Sequence, residues 1–264
     1  MADTRQLLPT AESAAEIRQN YDLSIRQRSF FSARTTQARY LQRLRDVCDR
    51  YAAGDMSEAD AETILRGELD SLGYDAEAGG FPGDEGVPPA SPGDIRDLAS
   101  HTRIDLVLRT QQTLSANLAR KAAAASDPLA AEEFPAWRLV RMGAPLKPRN
   151  WIIRWQAAYN AVGGEGAARA DMVALKASPI WEALGEYGDD STGSDVPPFA
   201  YNSTMDWEDV DRREAVALGL VGEDDPAAIP TFDGQLGEEE IANAIEGLSP
   251  EDLKALEEEL SQWL

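Results

Sequence analysis

Residues 195–221 read DVPPFAYNSTMDWEDVDRREAVALGLV, and the rest of the chain is arranged around this stretch. Pro197 and Pro198 fix two φ angles and remove two backbone donors, so the approach is extended and belongs neither inside a helix nor in a central strand. Phe199, Tyr201, Met205 and Trp207 then crowd large apolar groups into a segment without helical spacing, which predicts a pinned loop. Asp206 or Asp209 is placed to cap a short helix through Arg212, Ala215 and Leu218 that ends at Gly219, where a left-handed C-terminal residue suits glycine. The stretch holds no nucleophile, base or phosphate cradle. It reads as a structural corner, built on Pro197, Pro198, Phe199 and Trp207, that closes a small core.

Working upstream, residues 134–142 (FPAWRLVRM) are short and bulky and end at Gly143, which predicts a strand. Asn150 caps a helix carrying Trp151, Ile152, Trp155, Tyr159 and Val162, stopped by Gly163 and Gly164. Residues 172–175 suggest a second short strand, and Ser178-Pro179 starts a further turn of helix with Trp181 and Leu184 inward. Four of the six tryptophans lie between Trp137 and Trp181, which places a core there.

Residues 94–126 predict the longest helix, capped by Asp94 and ended by Asp127-Pro128, with Ile104, Val107, Leu108, Gln111, Leu114, Leu118 and Ala122 on one side. Its other edge carries His101, Arg103, Arg109, Arg120 and Lys121, and Thr110, Gln111, Gln112 and Thr113 form a polar run suited to bracing a neighbouring segment. Residues 78–93 (AGGFPGDEGVPPASPG) are rich in Gly and Pro without periodicity and read as a linker.

Before the linker, residues 16 to 51 read as helix bent near residues 30–32, with Ser32 capping the second piece and Ala38, Leu41, Leu44, Cys48 and Tyr51 at three- and four-residue spacing. Gly54 stops it. Ser57 caps the next helix, whose stripe is Ala61, Leu65, Leu69 and Leu72 before Gly73. Arg18, Arg26, Arg28, Arg34, Arg39, Arg43 and Arg45 face a single acid, Asp22, between positions 17 and 45. This basic patch, interleaved with Phe30, Phe31 and Tyr40, suits phosphate or an acidic partner surface; a solvated helix face is the plain alternative.

Downstream of Val221 the character changes. Residues 222–237 form an acidic linker with Pro and Gly, and short helices are predicted at 238–247 and 250–264. Ser249-Pro250-Glu251-Asp252 is a strong helix start, and Leu253, Leu256, Leu260 and Trp263 make an apolar stripe that needs a surface to fold against. The predicted fold is therefore mainly α: a helical N-terminal region with a basic face (1–77), a Gly/Pro linker (78–93), an α+β core domain with a small antiparallel β element (94–221), and an acidic tail with two short helices (222–264).

The net charge of −22 argues against nucleic-acid or membrane-surface binding by the whole molecule, yet the charge is uneven: after Ser178 only 3 basic residues accompany 23 acidic ones. No basic-then-apolar signal segment and no run of 18 apolar residues occurs, so neither secretion by that route nor a membrane span is expected. One His and one Cys leave no zinc site of the usual kind and no Ser-His-Asp or Cys-His nucleophile. Aligning Gly234 or Gly54 as the glycine of a calcium loop puts Ile229, or Tyr51 and Ala53, at ligand positions, so both fail. Gly163-Gly164-Glu165-Gly166 lacks the Lys-Ser/Thr of a phosphate loop and follows a helix. The loop at residues 189–195 could hold a divalent ion loosely, but a solvated loop is the better reading. No cofactor is indicated.

Six stretches in order, SARTTQARYL (32–41), LASHTRIDLVLRTQ (98–111), FPAWRLVR (134–141), PRNWIIRW (148–155), MVALKASPIWEAL (172–184) and DVPPFAYNSTMDWEDVDRREAVALGL (195–220), together resemble the tailed-phage head morphogenesis or minor head proteins, related distantly to Mu F-like proteins. The Mu F-like His-containing and Cys-rich end segments have no counterpart, since no His follows His101 and no Cys follows Cys48. The resemblance implies a low-copy, non-enzymatic structural protein of the virion, in the capsid interior at or near the portal vertex and in the host cytoplasm before assembly. It implies a role in head assembly, DNA packaging or delivery, with the portal and other head proteins as partners, several copies around the portal and no membrane. In that setting Arg26, Arg28, Arg34, Arg39 and Arg43 are the candidates to dock on the portal or on DNA, and Leu253, Leu256, Leu260 and Trp263 on a further partner. Two other classes fit the residues: a carboxylate- and metal-dependent phage nuclease or peptidase using residues 189–195 or Asp206 and Asp209, and a regulator whose acidic end mimics DNA.

Overall fold

The computed structural model describes residues 38–81, 90–144 and 148–232. Two helices open this part, α1 (Ala38–Ala52) and α2 (Glu58–Ser71). Ser57 caps α2 through its side chain, which accepts from the Asp60 N–H. The long helix α3 (His101–Ser126) follows, then α4 (Pro128–Glu133), β1 (Ala136–Arg141), α5 (Trp151–Ala161), β2 (Ala167–Ala168), β3 (Val173–Leu175), α6 (Ile180–Gly185), β4 (Met205–Val210) and α7 (Arg212–Ala217). Helices and one small antiparallel sheet give the expected α+β core; the acidic tail beyond Phe232, with its two expected helices, lies outside the described residues.

The four strands are ordered β2-β3-β1-β4, every pair antiparallel. β4 corrects the reading of residues 199–207 as wholly loop. Met205, Trp207 and Asp209 alternate with Asp206, Glu208 and Val210, a period of two, and β4 pairs with β1 along its full length, Arg141 with Met205 through Ala136 with Val210. Two caps also move. Asp211, not Asp206 or Asp209, caps α7 by accepting from the Glu214 N–H. Ser100, not Asp94, caps α3; Asp94 instead accepts from the Arg96 N–H in a turn ahead of it. Asp127-Pro128 ends α3 as expected and also starts α4, with Asp127 accepting from two of its N–H groups and Pro128 at the first turn.

Two cores flank α3. Tyr40, Leu44, Val47 and Cys48 of α1 and Ala61, Leu65 and Leu69 of α2 bury themselves against Tyr74, Phe81, Leu98 and the first turns of α3, Ile104 and Leu108. Between them, residues 82–89 lie outside the described part; at its margins the Ala90 N–H donates to the Gly79 carbonyl at 3.1 Å, and Phe81 and Ala90 are buried. The second core takes Leu114, Leu118 and Ala124 from the far end of α3 and sets them on one face of the sheet with Trp137, Trp151, Trp155, Trp181, Trp207 and Phe199. The other face carries Ala136, Val173 and Val210 against Ala215 of α7. Each buried indole removes about 150–250 Å² from water, a gross gain of roughly 4–6 kcal/mol.

Candidate functional site

The corner at 195–200 is the seam of the second core. The Pro197-Pro198 peptide is cis, and Phe199 takes a left-handed φ of 56°. That backbone costs a branchless aromatic about 1–2 kcal/mol, offset by a ring that is fully buried. The Phe199 ring stacks on Trp181 at 6.0 Å and meets Trp207 edge-on at 6.1 Å, while Trp207 stacks on Trp137 at 3.7 Å. Phe199 and Trp207 thus belong to one aromatic cluster, and Pro197 and Pro198 beside them are buried.

Charged groups tie this cluster down from three sides. Asp190 receives Arg149 Nε at 2.7 Å and Arg154 Nη2, and Arg149 and Arg154 donate onward to the carbonyls of Tyr201 and Tyr187. Burial raises the Asp190 pKa, but the hydrogen bonds from Arg154 and Arg149 outweigh it and bring it down to about 2. Asp195 pairs with Lys121 of α3. Asp209 accepts from Trp137 Nε1 at 3.0 Å, Lys176 Nζ at 3.0 Å and Arg120 Nη2 at 2.7 Å. Partial burial pushes its pKa up, and Arg120 and Lys176 more than reverse this, so it stays ionised below the usual carboxylate range.

Both outer strands of the sheet are engaged by side chains. Arg120 Nη1 donates to the Trp207 carbonyl at 2.7 Å and Asp206 accepts from the Trp207 N–H at 2.8 Å. On the opposite edge, Trp155 Nε1 donates to the Ala168 carbonyl at 3.1 Å. Such contacts block addition of a foreign strand.

Two cavities open beside the sheet. One of about 340 Å³ lies between the polar run of α3 (Arg109, Thr110, Gln112, Thr113) and Met142, Pro198 and residues 202–206. The other, about 210 Å³, is lined by Lys121, Trp137, Lys176, Ser178, Trp181 and Thr231 among others. Of the carboxylates weighed for metal chemistry, Asp190, Asp195 and Asp209 pair with cations, and among the described residues no group of three His, Cys, Asp or Glu side chains gathers to hold an ion. No helix among them is long and apolar enough to cross a membrane.

The chain matches no protein-family model, no curated protein and no solved structure.

Of the basic patch, Arg39 and Arg43 lie on α1, exposed, and both reach the buried Glu68 of α2, Arg39 Nε at 2.7 Å and Arg43 Nε at 3.5 Å. Arg26, Arg28 and Arg34 lie outside the described residues, as do Leu253, Leu256, Leu260 and Trp263. Sequence reasoning missed the pairing roles of Arg149, Arg154 and Lys176. The one available signal was charge embedded in an otherwise apolar context: Arg149 and Arg154 flank Trp151 and Ile152, and Lys176 follows Val173, Ala174 and Leu175.

Proposed function

We propose that this protein is a minor structural component of a tailed-phage head, an adaptor in the capsid interior that acts at the portal vertex in head assembly, DNA packaging or delivery. The observation that carries this reading is the engagement of Asp190, Asp195 and Asp209 by five cations, Arg120 and Lys121 of α3, Arg149 and Arg154 at the start of α5, and Lys176 after β3. A reaction centre needs an ionisable group open to substrate, whereas these groups brace a rigid scaffold around the corner. The ordered set of stretches resembling minor head proteins supplies the context, and the braced core coincides with four of the six.

In this reading the Arg-rich segment, Arg26, Arg28, Arg34, Arg39 and Arg43, meets the portal or DNA, and Leu253, Leu256, Leu260 and Trp263 fold against a further head protein. At Arg39 and Arg43 a partner carboxylate or phosphate competes with Glu68, so contact there strengthens as salt falls. The test is a pull-down of the tagged full-length chain from cells expressing the neighbouring head genes, at low and high salt. Recovery of a portal-like ring, lost in an Arg28→Glu, Arg34→Glu, Arg39→Glu variant, supports the adaptor. A soluble monomer that recovers no head protein, together with nuclease or peptidase activity that rises with added divalent metal, overturns it in favour of an enzyme.

A further inference from the structure

The smaller cavity has a chemistry that scaffold bracing does not explain. It lies where α3, the end of β3, the start of α6 and the segment at residues 230–231 converge, walled by the indoles of Trp137 and Trp181. Two lysines enter it. The Lys176 side chain is only 6% exposed and that of Lys121 only 16%. A lysine ammonium carries three N–H donors. Lys176 gives one to Asp209 Oδ1 at 3.0 Å, and its charge lies 5.3 Å from the centre of the Trp137 ring. Lys121 gives one to Asp195. Among the described residues no other acceptor meets either ammonium, so donors outnumber acceptors around the cavity.

In the wall itself Lys121 and Lys176 stand against Asp195 and Glu182, and Glu182 sits exposed at the rim. Buried ammonium groups with unmet N–H donors are costly unless oxygen atoms reach them. Thr231 brings a hydroxyl to the wall, and Ser178, also in the wall, accepts from the Ile180 N–H and donates to the Glu165 carbonyl. A volume of about 210 Å³ admits a small oxyanion.

We propose that this cavity binds a small oxyanion, a phosphate- or carboxylate-type group held between Lys121 and Lys176 against the two indole walls. The oxyanion supplies the acceptors the ammonium groups lack. In doing so it ties α3 to the segment at 230–231, within the acidic stretch that follows α7.

The test is isothermal titration calorimetry on the full chain with inorganic phosphate and, separately, acetate, at fixed ionic strength set with sodium chloride. Saturable binding at one site per chain is expected. Losing one charge-assisted contact in Lys121→Gln weakens it about tenfold or more. Lys176→Met serves as a second variant; if it fails to fold, Lys121→Gln decides alone. A response to phosphate only assigns a phosphoryl group, and one to acetate, alone or with phosphate, assigns a carboxylate. No saturable heat in the wild type, or equal affinity in wild type and Lys121→Gln, overturns the proposal.

Discussion

Trp137 and Asp209 stand directly opposite each other on β1 and β4, and the indole N–H of one donates to the carboxylate of the other at 3.0 Å. The same carboxylate collects Lys176 and Arg120, so a single side chain joins β1, β4, the end of β3 and α3. Asp209→Leu leaves Lys176 buried without its anion and Trp137 without its acceptor. The expected loss is about 2–4 kcal/mol, less than a fully buried pair would cost because Asp209 is partly exposed. Urea denaturation followed by tryptophan fluorescence measures it. A double cycle with Trp137→Phe should show coupling of about 0.5 kcal/mol or more, since both changes remove one shared hydrogen bond.

Asp190 gives the chain an acid limit. Its folded pKa, near 2, lies below the ordinary aspartate value of 3.8, so the proton binds more readily to the unfolded chain. The stabilisation is fully present above the unfolded value and is lost as pH falls from about 4 through 2, amounting to about 2 kcal/mol. Asp209, also depressed, acts with the same sign. Asp190→Asn should flatten this part of the stability profile while costing about 3 kcal/mol at neutral pH, because the largely buried Arg149 and Arg154 lose their carboxylate. Denaturant midpoints measured from pH 2 to 7 on both proteins check it; an unchanged acid slope in the variant removes the assignment.

How far the residues announced this architecture differs element by element. The helix ends at Ser57, Asn150 and Gly163 were legible because caps and glycine stops act locally, through hydrogen bonds within one turn. Asp94 and Ser100 both satisfy the cap rule, and only tertiary packing of Leu98 in the first core decides for Ser100. β4 was missed because its alternation is apolar on one face and acidic on the other. Asp209 breaks the apolar set at the very point where its charge is needed by Trp137, Lys176 and Arg120, residues 72, 33 and 89 positions away in sequence. β2 is two residues long and carries no periodic signal at all. The cavities are likewise invisible in sequence, since their walls come from segments as much as about a hundred residues apart.

Gly185, at the end of α6, has a tighter requirement than its helical position suggests. A Cβ there would lie 1.8 Å from the Ser194 carbonyl oxygen, backbone that cannot rotate away, and the Gly193 N–H donates to the Gly185 carbonyl at 3.0 Å in the same contact. In an ordinary helix Gly→Ala stabilises; here Gly185→Ala should destabilise by about 2–3 kcal/mol, an overpacking cost. Gly67, in the middle of α2, meets nothing within 4 Å, so Gly67→Ala should stabilise by about 0.5–1 kcal/mol. Opposite signs for the two variants in thermal melts are the expected result, and equal signs would mean that Ser194 moves aside.

Cys48 reports on the first core without perturbing it. The thiol lies on α1, 4% exposed, packed with Tyr40, Leu44, Leu65 and Leu69. Burial, with a smaller push from the neighbouring Asp49 carboxylate, drives its pKa up to about 12. At pH 8 the thiolate is then about a ten-thousandth of the population, against roughly a quarter for an ordinary thiol of pKa near 8.5. Labelling by a water-soluble thiol reagent should therefore be slower than in urea-unfolded chain by about a hundredfold or more, and should require opening of α1 from α2. That makes its rate a direct readout of the Glu68 clamp. Glu68→Gln, which loosens Arg39 and Arg43 from α2, should speed labelling several-fold while leaving the tryptophan fluorescence of the second core unchanged. If labelling and fluorescence instead change together in that variant, α3 couples the two cores into one cooperative unit.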